Sequence, residues 1–549
     1  MKKVLLALLI LSACGKGNKN EINQFADDKL IQIFELQDRR ETDSLIPLLK
    51  AKKESHRIAA ALAFASAQDT LAIPYLSQML QIDQDELPRR AAAFALGQIG
   101  HSKSLQILRS SFDSELSNVN RRYILEAIGK CGDTSTLDLF GKVDYQDSLL
   151  RIGWAYGVFR LAQKGLYADS LTDRMIEFLE GDNSKEGKQL AAHYLHRYYR
   201  KYPEKPTARI STLYANQTAE IKARLDQFLN SAKAEREQIG WDWTVEYSKL
   251  NPYKKAAKIA NLDVSNPKVI EWCVYEIMQV DSNPKVVKNA ALEKYIEART
   301  ATPSNNWPHT MRDMLTYALN SGDMAMQSIA AIELQKTTYS EEGAYWLPLL
   351  TKTRSELVLP EKAETFIDVS KAIEALGGEK FAGYKPKYNH PIDWEFVKTI
   401  PHNQQVLITT NKGEVRLLLF VNDAPGTVAN FLKLTDSGFY DGKYFHRVVL
   451  QFVIQGGCPR GDGWGGKNWT QRSEFSNYQT YETGTVGIAS AGNDTEGVQF
   501  FIAHCPTPHL DGRYTIFARV IDGMEVVNKI EVGDKIISIK RAASKVVDL

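Results

Sequence analysis

The strongest constraint on the fold of this chain is an internal repeat in its first half. Residues 89–100 read RRAAAFALGQIG and residues 121–132 read RRYILEAIGKCG, so paired arginines, small residues and glycines recur 32 positions apart. Within each copy, apolar residues recur at three and four positions, which is the period of an amphipathic helix. A unit of this length cannot bury its apolar face alone, so the repeat predicts stacked helix pairs.

The same helical period continues from about residue 25 to about residue 384, and strand signals are nearly absent there. Residues 25–384 are therefore predicted to form one all-α region. It resembles HEAT-type helical repeats, most clearly over residues 54–165, where alanine and glycine would let helices approach closely. The resemblance implies a long surface for a protein partner, here an envelope protein or a client. A spacer that holds another domain off a membrane is an equally good interpretation.

The N-terminus has the pattern of an export signal. Met1 and two lysines precede an apolar run over residues 4–11, which is far shorter than the roughly 20 residues that cross a bilayer. The Leu-Ser-Ala-Cys ending at Cys14 resembles the lipobox of bacterial lipoproteins. It implies that residues 1–13 are a signal peptide, that Cys14 is lipidated, and that residues 14–24 form a tether. An ordinary signal peptide with an incidental cysteine is the alternative.

Anchored in this way, the protein would lie in the bacterial cell envelope, outside the cytoplasm. The sequence leaves the membrane leaflet open.

The composition excludes several classes of function. The chain has 549 residues, with 68 Lys and Arg against 66 Asp and Glu, and removal of residues 1–13 takes two lysines and leaves no net charge. No global field therefore favours nucleic acid as a partner. Its five cysteines do not form a disulfide scaffold, and no Cys or His spacing is typical of a metal site. No motif indicates a cofactor.

The chain changes character near residue 401. Strand-like segments over residues 405–409 and 414–420 flank Asn411, Lys412 and Gly413, which predicts a hairpin with glycine at the turn. Pro425 then opens a short helical pattern, and short strands and glycine-rich loops follow to the end. We therefore expect residues 385–401 to be a connector and residues 402–549 to form a closed, mostly antiparallel β domain.

Residues 445–457 read FHRVVLQFVIQGG, which resembles the signature of the cyclophilin family. The flanking motifs agree in their order: TVANF at 427–431, GFYDG at 438–442, QFFI at 499–502 and LDGRYTIF at 510–517. The resemblance spans the whole C-terminal domain. It implies an eight-stranded barrel with two helices and peptidyl-prolyl cis–trans isomerase activity. The predicted fold class is thus multidomain, with an all-α HEAT-like solenoid followed by this barrel.

The resemblance also implies the residues of the site. Arg447 would stabilise the prolyl nitrogen, and Gln455 would bind the substrate backbone and help to fix Arg447. The remaining substrate contacts would be Phe452, Val453, Ala489, Ser490, Gln499, Phe501, His509, Leu510 and Tyr514. Taken singly, the apolar members could equally be barrel core, and Arg447 could be a surface ion-pair partner. The order of the motifs carries the inference.

Four positions of the predicted site depart from the family pattern, and Leu450 and Gln451 replace the family's Pro-Gly before Phe452, a loop change outside the chemistry. Val453 stands where many cyclophilins have methionine, and His509 stands where tryptophan is frequent, which affects inhibitor binding more than catalysis. Ser490 replaces a common asparagine and Tyr514 a common histidine. The leading hypothesis remains an isomerase that acts on proline-containing segments of unfolded or folding exported proteins. The alternatives are a proline-binding module without catalysis and a purely structural envelope lipoprotein.

Overall fold

The structure is a computed structural model that describes residues 22–142, 145–180, 184–198, 207–229, 237–278, 284–302 and 310–543. Cys14, the signal peptide and most of the tether lie outside these residues. Within them, the chain folds into a long helical region followed by a β domain, and the predicted multidomain fold class is confirmed.

Within the described ranges, the helical region consists mostly of short helices. Its α-helices are Asp28–Arg39, Thr42–Leu45, Glu54–Ala67, Ile73–Ile82, Glu86–Ile99, Leu105–Ser114, Asn118–Cys131, Thr134–Lys142, Ser148–Gln163, Asp169–Glu177, Lys185–Tyr198, Thr207–Tyr214, Ala219–Leu229, Trp241–Ser248, Pro252–Ala260, Lys268–Met278, Lys285–Ala301, Met311–Asn320, Met324–Leu334, Gly343–Ser355 and Ala363–Ala375.

The predicted repeat is visible in the packing. Helices Glu54–Ala67, Glu86–Ile99 and Asn118–Cys131 begin 32 residues apart and pack side by side in one row. Small residues set the spacing of the row, because a Cβ placed on Gly129 would lie 2.3 Å from the Gly157 carbonyl oxygen of the next helix in the row. The sequence predicted this close approach from its alanines and glycines.

The C-terminal domain is an eight-stranded antiparallel sheet that curls into a barrel. The strands are β1 (Gln405–Thr410), β2 (Gly413–Leu419), β3 (Phe445–Val449), β4 (Val453–Gly456), β5 (Thr485–Ile488), β6 (Phe500–Ala503), β7 (Ile516–Asp522) and β8 (Ile536–Ala542). Their order is β3-β4-β6-β5-β7-β2-β1-β8. Backbone hydrogen bonds close the sheet at the start of the two outer strands: the Phe445 N–H of β3 donates to the Asp534 carbonyl oxygen at 2.9 Å, and the Ile536 N–H of β8 donates to the Lys443 carbonyl oxygen at 2.7 Å.

Helices Pro425–Asp436 and Met524–Val527 accompany the sheet. The first begins where the sequence predicted it, with Pro425 in the first turn, and it buries Val428, Phe431 and Leu432. The predicted hairpin is confirmed as well, since β1 and β2 pair directly around a turn at residues 411–412.

The helical region is fastened to the barrel along its length. Arg40 forms an ion pair with Asp494 at 2.5 Å, and the Ser66 hydroxyl accepts the Phe475 N–H at 2.8 Å. Further along the chain, Arg160 donates to the Pro508 carbonyl oxygen at 2.7 Å. The apolar core of residues 25–228 is continuous with the barrel core, so the two parts fold against each other and do not hang on a free connector.

The last residues of the predicted tether, Asn23 and Gln24, are packed against the folded protein. Asn23 is 5% exposed and donates to the carbonyl oxygens of Val397 and Ile400, both at 2.8 Å. Gln24 donates to the Asn422 carbonyl oxygen at 2.7 Å, and Phe25 packs edge-on against Phe34. Asn23 and Gln24 are therefore docked, because their side-chain amides donate to backbone acceptors of the segment 385–401 and of the barrel domain.

The cysteines within the described ranges are free thiols. Cys131, Cys273, Cys458 and Cys505 are all buried. Burial raises the pKa of both Cys131 and Cys273 to about 12, which keeps these thiols protonated. No helix in the same ranges is both long and apolar enough to cross a bilayer.

Candidate active site

Three neighbouring strands bring the predicted polar and apolar residues of the site together. Arg447 on β3 pairs with Gln455 on β4, and Gln455 pairs in turn with Phe501 on β6. Residues opposite each other in antiparallel strands share one face of the sheet. The arginine, the amide and the phenylalanine therefore form one row across the barrel wall.

An apolar slot lies beside this row. Val453, Phe501 and Leu510 are buried in one small cluster, and Phe452 and Tyr514 pack against it half-buried. Tyr514 meets Phe501 edge-on, with ring centres 5.7 Å apart. Such contacts hold aromatic side chains in fixed orientations, so the slot is pre-formed.

The Arg447 guanidinium lies beside the slot, over the ring of Phe452. Its central carbon lies 5.6 Å from the centre of the Phe452 ring, and no described residue forms a hydrogen bond or ion pair with it. The side chain is exposed and lines a cavity, and the surrounding protein lowers its pKa, an effect that nearby Tyr514 partly opposes. Arginine nevertheless stays charged near neutral pH.

Gln455 has a different partner from the one predicted. Its Nε2 donates to Gln499 Oε1 at 3.0 Å, and Gln499 donates onward to the carbonyl oxygens of Gly463 and Gly465 at 2.7 and 2.9 Å. The pair of amides thus fixes the glycine-rich loop at the rim of the site. No hydrogen bond joins Gln455 to Arg447 in the structure, although the Gln455 bond to Gln499 uses Nε2 and leaves the Oε1 acceptor available.

Ala489 and Ser490 lie at the end of β5, where the chain runs beside Gln499. The Ala489 N–H donates to the Gln499 carbonyl oxygen at 2.9 Å. Both residues line the same cavity as Arg447. They therefore sit where the residues before a bound proline would run.

His509 is the exception among the predicted contacts. It is 5% exposed, does not line the cavity, and stacks on Phe452 with ring centres 5.3 Å apart. Its Nδ1 lies 2.9 Å from Nε2 of His193 in the helical region. The predicted substrate contact is corrected to a supporting role, because the helical region takes up the space on the outer side of this ring.

His446 also lines the cavity, and its imidazole is uncharged at neutral pH. Burial lowers its pKa to about 4, although Asp462 opposes the shift. Both ring nitrogens are buried without a hydrogen-bond partner in the described part of the chain. Rotation about an amide needs no general base, so a neutral imidazole fits a structural role here.

The cavity at the site has a volume of about 700 Å³ and has two walls. One wall is the barrel, with the loop at residues 462–467 beside the predicted residues. The other wall belongs to the helical region, with Glu293, Met324 and residues 360–365. Sequence reasoning missed this second wall, since nothing in the repeat distinguishes these residues from other helical positions.

No group of three or more His, Cys, Asp or Glu side chains in the described residues has the geometry of a metal site. The reacting groups at the site are a guanidinium, two amides and aromatic rings. This set can bind and polarise an amide.

The comparisons with known proteins agree with this geometry. The cyclophilin-type peptidyl-prolyl cis-trans isomerase family matches residues 405–546, and HEAT repeats match residues 42–129. A peptidyl-prolyl cis-trans isomerase of Synechococcus elongatus is 49% identical over 138 residues, which are 25% of this chain and 94% of that protein.

Peptidyl-prolyl cis-trans isomerase B of Bacillus subtilis is 49% identical over 122 residues, 22% of this chain and 85% of that protein. A crystal structure of a cyclophilin-type isomerase of Cryptosporidium parvum is 34% identical, covers 26% of this chain and 99% of that chain, and has a TM-score of 0.25. Through its C-terminal domain, the chain belongs to the family of cyclophilin-type peptidyl-prolyl cis–trans isomerases.

Proposed function

We propose that this protein catalyses cis–trans rotation about Xaa-Pro bonds of exported proteins at a bacterial membrane surface. The observation that carries the proposal is the Arg447 guanidinium, which forms no hydrogen bond or ion pair with a described residue, lies over the Phe452 ring and lines a cavity with Phe501. Its partners would be proline-containing segments of unfolded or folding clients.

The chemistry requires no bond to be made or cut. Amide resonance sets a rotational barrier of roughly 18–20 kcal/mol, which falls when the nitrogen lone pair localises. A proline ring held in the slot by Phe452, Phe501 and Leu510 would bring its nitrogen beneath Arg447. A charged donor in a site poor in water stabilises that lone pair more in the twisted transition state than in either planar ground state.

Isomerisation of a short Ala-Pro peptide by the purified full chain tests this mechanism. We expect Arg447→Ala to lower kcat/KM by about 100-fold or more, the size of effect found when one donor to developing charge is removed. Arg541→Ala is the matched control, since Arg541 lies on β8 in an exposed pair with Asp436. Peptide binding without Arg447-dependent acceleration would favour the non-catalytic binding module.

The location is a second part of the proposal. The basic start, the short apolar run and the Leu-Ser-Ala-Cys ending support lipidation of Cys14 and residence in the cell envelope outside the cytoplasm. Incorporation of labelled fatty acid should disappear in Cys14→Ala. Labelling that survives this change would contradict the anchor.

The helical region would dock clients or an envelope partner. HEAT-type repeats present long surfaces to other proteins. Here the region also walls the catalytic cavity, which supports a role in handling the isomerase's own clients over a role as a distant spacer.

A further inference from the structure

The second wall of the catalytic cavity is held at a fixed distance from the barrel. Arg460, in the loop after β4, forms an ion pair with Asp323 of the helical region at 2.8 Å and with Asp462 of its own loop at 2.7 Å. Asn289 donates to the same Asp462 at 3.3 Å. All four side chains are at least partly buried, so solvent competes weakly for these contacts.

These ion pairs and this hydrogen bond position the residues of the helical region that line the cavity. Asp323 caps the helix Met324–Leu334, so the ion pair with Arg460 places Met324 at the cavity.

Asn289 and Glu293 lie one turn apart on the helix Lys285–Ala301, so the bond to Asp462 directs Glu293 toward the same space. Glu361 lies against the glycine-rich loop, since a Cβ on Gly466 would be 3.4 Å from its carbonyl oxygen.

The second wall is acidic. Glu293, Glu361 and Glu364 are exposed to the cavity, and none of them forms a hydrogen bond or ion pair with a described residue. Enclosure by protein raises the pKa of Glu293, and it raises that of Glu364 to about 7 with help from Asp368. A carboxylate in such a position lacks both full hydration and a partner cation.

The cations of the cavity do not neutralise this wall. Arg447 faces the slot on the barrel side, and the Lys467 ammonium lies 5.0 Å from the centre of the Phe439 ring. Lys362 is the single cation that the helical region contributes to the described cavity, against three carboxylates.

Resting on the proposed isomerase function, we propose that the helical region is the second half of the substrate site. It selects extended client segments that carry a lysine or arginine within a few residues of the proline. A segment in the slot must pass between the two walls, and a cavity of about 700 Å³ accepts a short extended stretch but no folded domain. Met324 and Pro360 offer apolar contact, while the three glutamates attract a basic side chain and repel an acidic one.

A set of peptides with a common Ala-Pro core tests this inference. Each peptide carries lysine, glutamine or glutamate at one, two or three positions before or after the proline. Measured at pH 8 with the full chain, where Glu364 is largely ionised, the best lysine peptide should exceed its glutamate counterpart in kcat/KM by about tenfold. The triple variant Glu293→Gln, Glu361→Gln, Glu364→Gln should reduce this ratio to about twofold or less.

The matched control replaces three exposed glutamates outside the cavity, Glu271→Gln, Glu356→Gln and Glu525→Gln, and should keep the native ratio. Equilibrium binding of the same peptides reads the preference independently of turnover. Equal kcat/KM and equal binding for the lysine and glutamate peptides would refute the selection of basic segments by the helical region. The isomerase function would still stand in that case if turnover of the glutamine peptide depended on Arg447. A lysine preference in binding without turnover would support the wall and refute catalysis.

Discussion

Single residues show where local sequence suffices and where it does not. Arg447, Phe452 and Gln455 lie within one short motif that folds as a hairpin, with Phe452 in the turn between β3 and β4, so their neighbourhood follows from the motif itself. His509 could not be interpreted in this way. Its partner, His193, is 316 positions away in the chain, and the contact exists only because the helical region packs on the barrel.

The His193–His509 pair predicts an acid-sensitive contribution to stability. Burial lowers the pKa of His509 to about 2 and that of His193 well below its usual value, with the Arg224 guanidinium adding to both shifts. A folded-state pKa below the unfolded value of about 6.5 means that this contribution is complete above pH 6.5 and is lost as the pH falls. At pH 5 the loss reaches about 2 kcal/mol per imidazole.

Urea unfolding at pH 7.5 and pH 5 measures this contribution. The buried carboxyls Glu474 and Asp511, whose pKa values burial raises to about 7, change stability in the opposite direction on acidification. The informative quantity is therefore the difference between the native chain and the double variant His193→Gln, His509→Gln. That variant should be less sensitive to acid, and an identical pH dependence in both proteins would rule out the explanation.

At the scale of secondary-structure elements, the hydrophobic periodicity and the turn residues were sufficient to predict the row of helices and the first hairpin of the barrel. The 32-residue repeat predicted the helix row, and Asn411, Lys412 and Gly413 predicted the hairpin of β1 and β2. The attachment of the row to the barrel could not be predicted. Gln98, for example, donates to the Gly512 carbonyl oxygen at 2.5 Å from a repeat position that carries no distinguishing signal.

The helix row predicts opposite effects for two glycine substitutions. Gly129→Ala places a methyl group 2.3 Å from the Gly157 carbonyl oxygen, so helices Asn118–Cys131 and Ser148–Gln163 must separate. We expect a loss of about 2 kcal/mol or more in the free energy of unfolding.

Gly141→Ala is the control, because the space around this helical glycine is open and alanine favours helix by about 0.5–1 kcal/mol. Thermal unfolding of both variants makes the comparison. A Gly129→Ala protein as stable as the native chain would show that the row can adjust its spacing.

For the molecule as a whole, the contacts between the two regions determine how it behaves as a unit. Arg160 is 2% exposed and holds Glu126 at 2.8 Å, the Pro508 carbonyl oxygen at 2.7 Å and Asp511 at 3.6 Å. This side chain connects a repeat helix to the loop that carries Leu510. Because removal of one member of a buried ion network leaves other members uncompensated, we expect the assembly to be sensitive to the loss of Arg160.

Arg160→Met should lower the free energy of unfolding by about 3 kcal/mol and speed amide hydrogen exchange over residues 505–512. Adding Asp511→Asn should recover part of the stability, since Arg160 is the one described ion-pair partner of Asp511, whereas Glu126 keeps Lys130 at 3.1 Å. Unchanged exchange over residues 505–512 in Arg160→Met would mean that the helical region does not order this loop.

In a repeat protein with free ends, each repeat contacts only its neighbours, so the relative orientation of the repeats can change at every junction. In this protein the barrel contacts the first helices through Arg40 and the later helices through Asp323, so it links two distant parts of the helical region. A displacement of either part would therefore be passed on to the isomerase domain. A client that displaced the helical region would change the width of the cavity in which its own proline rotates.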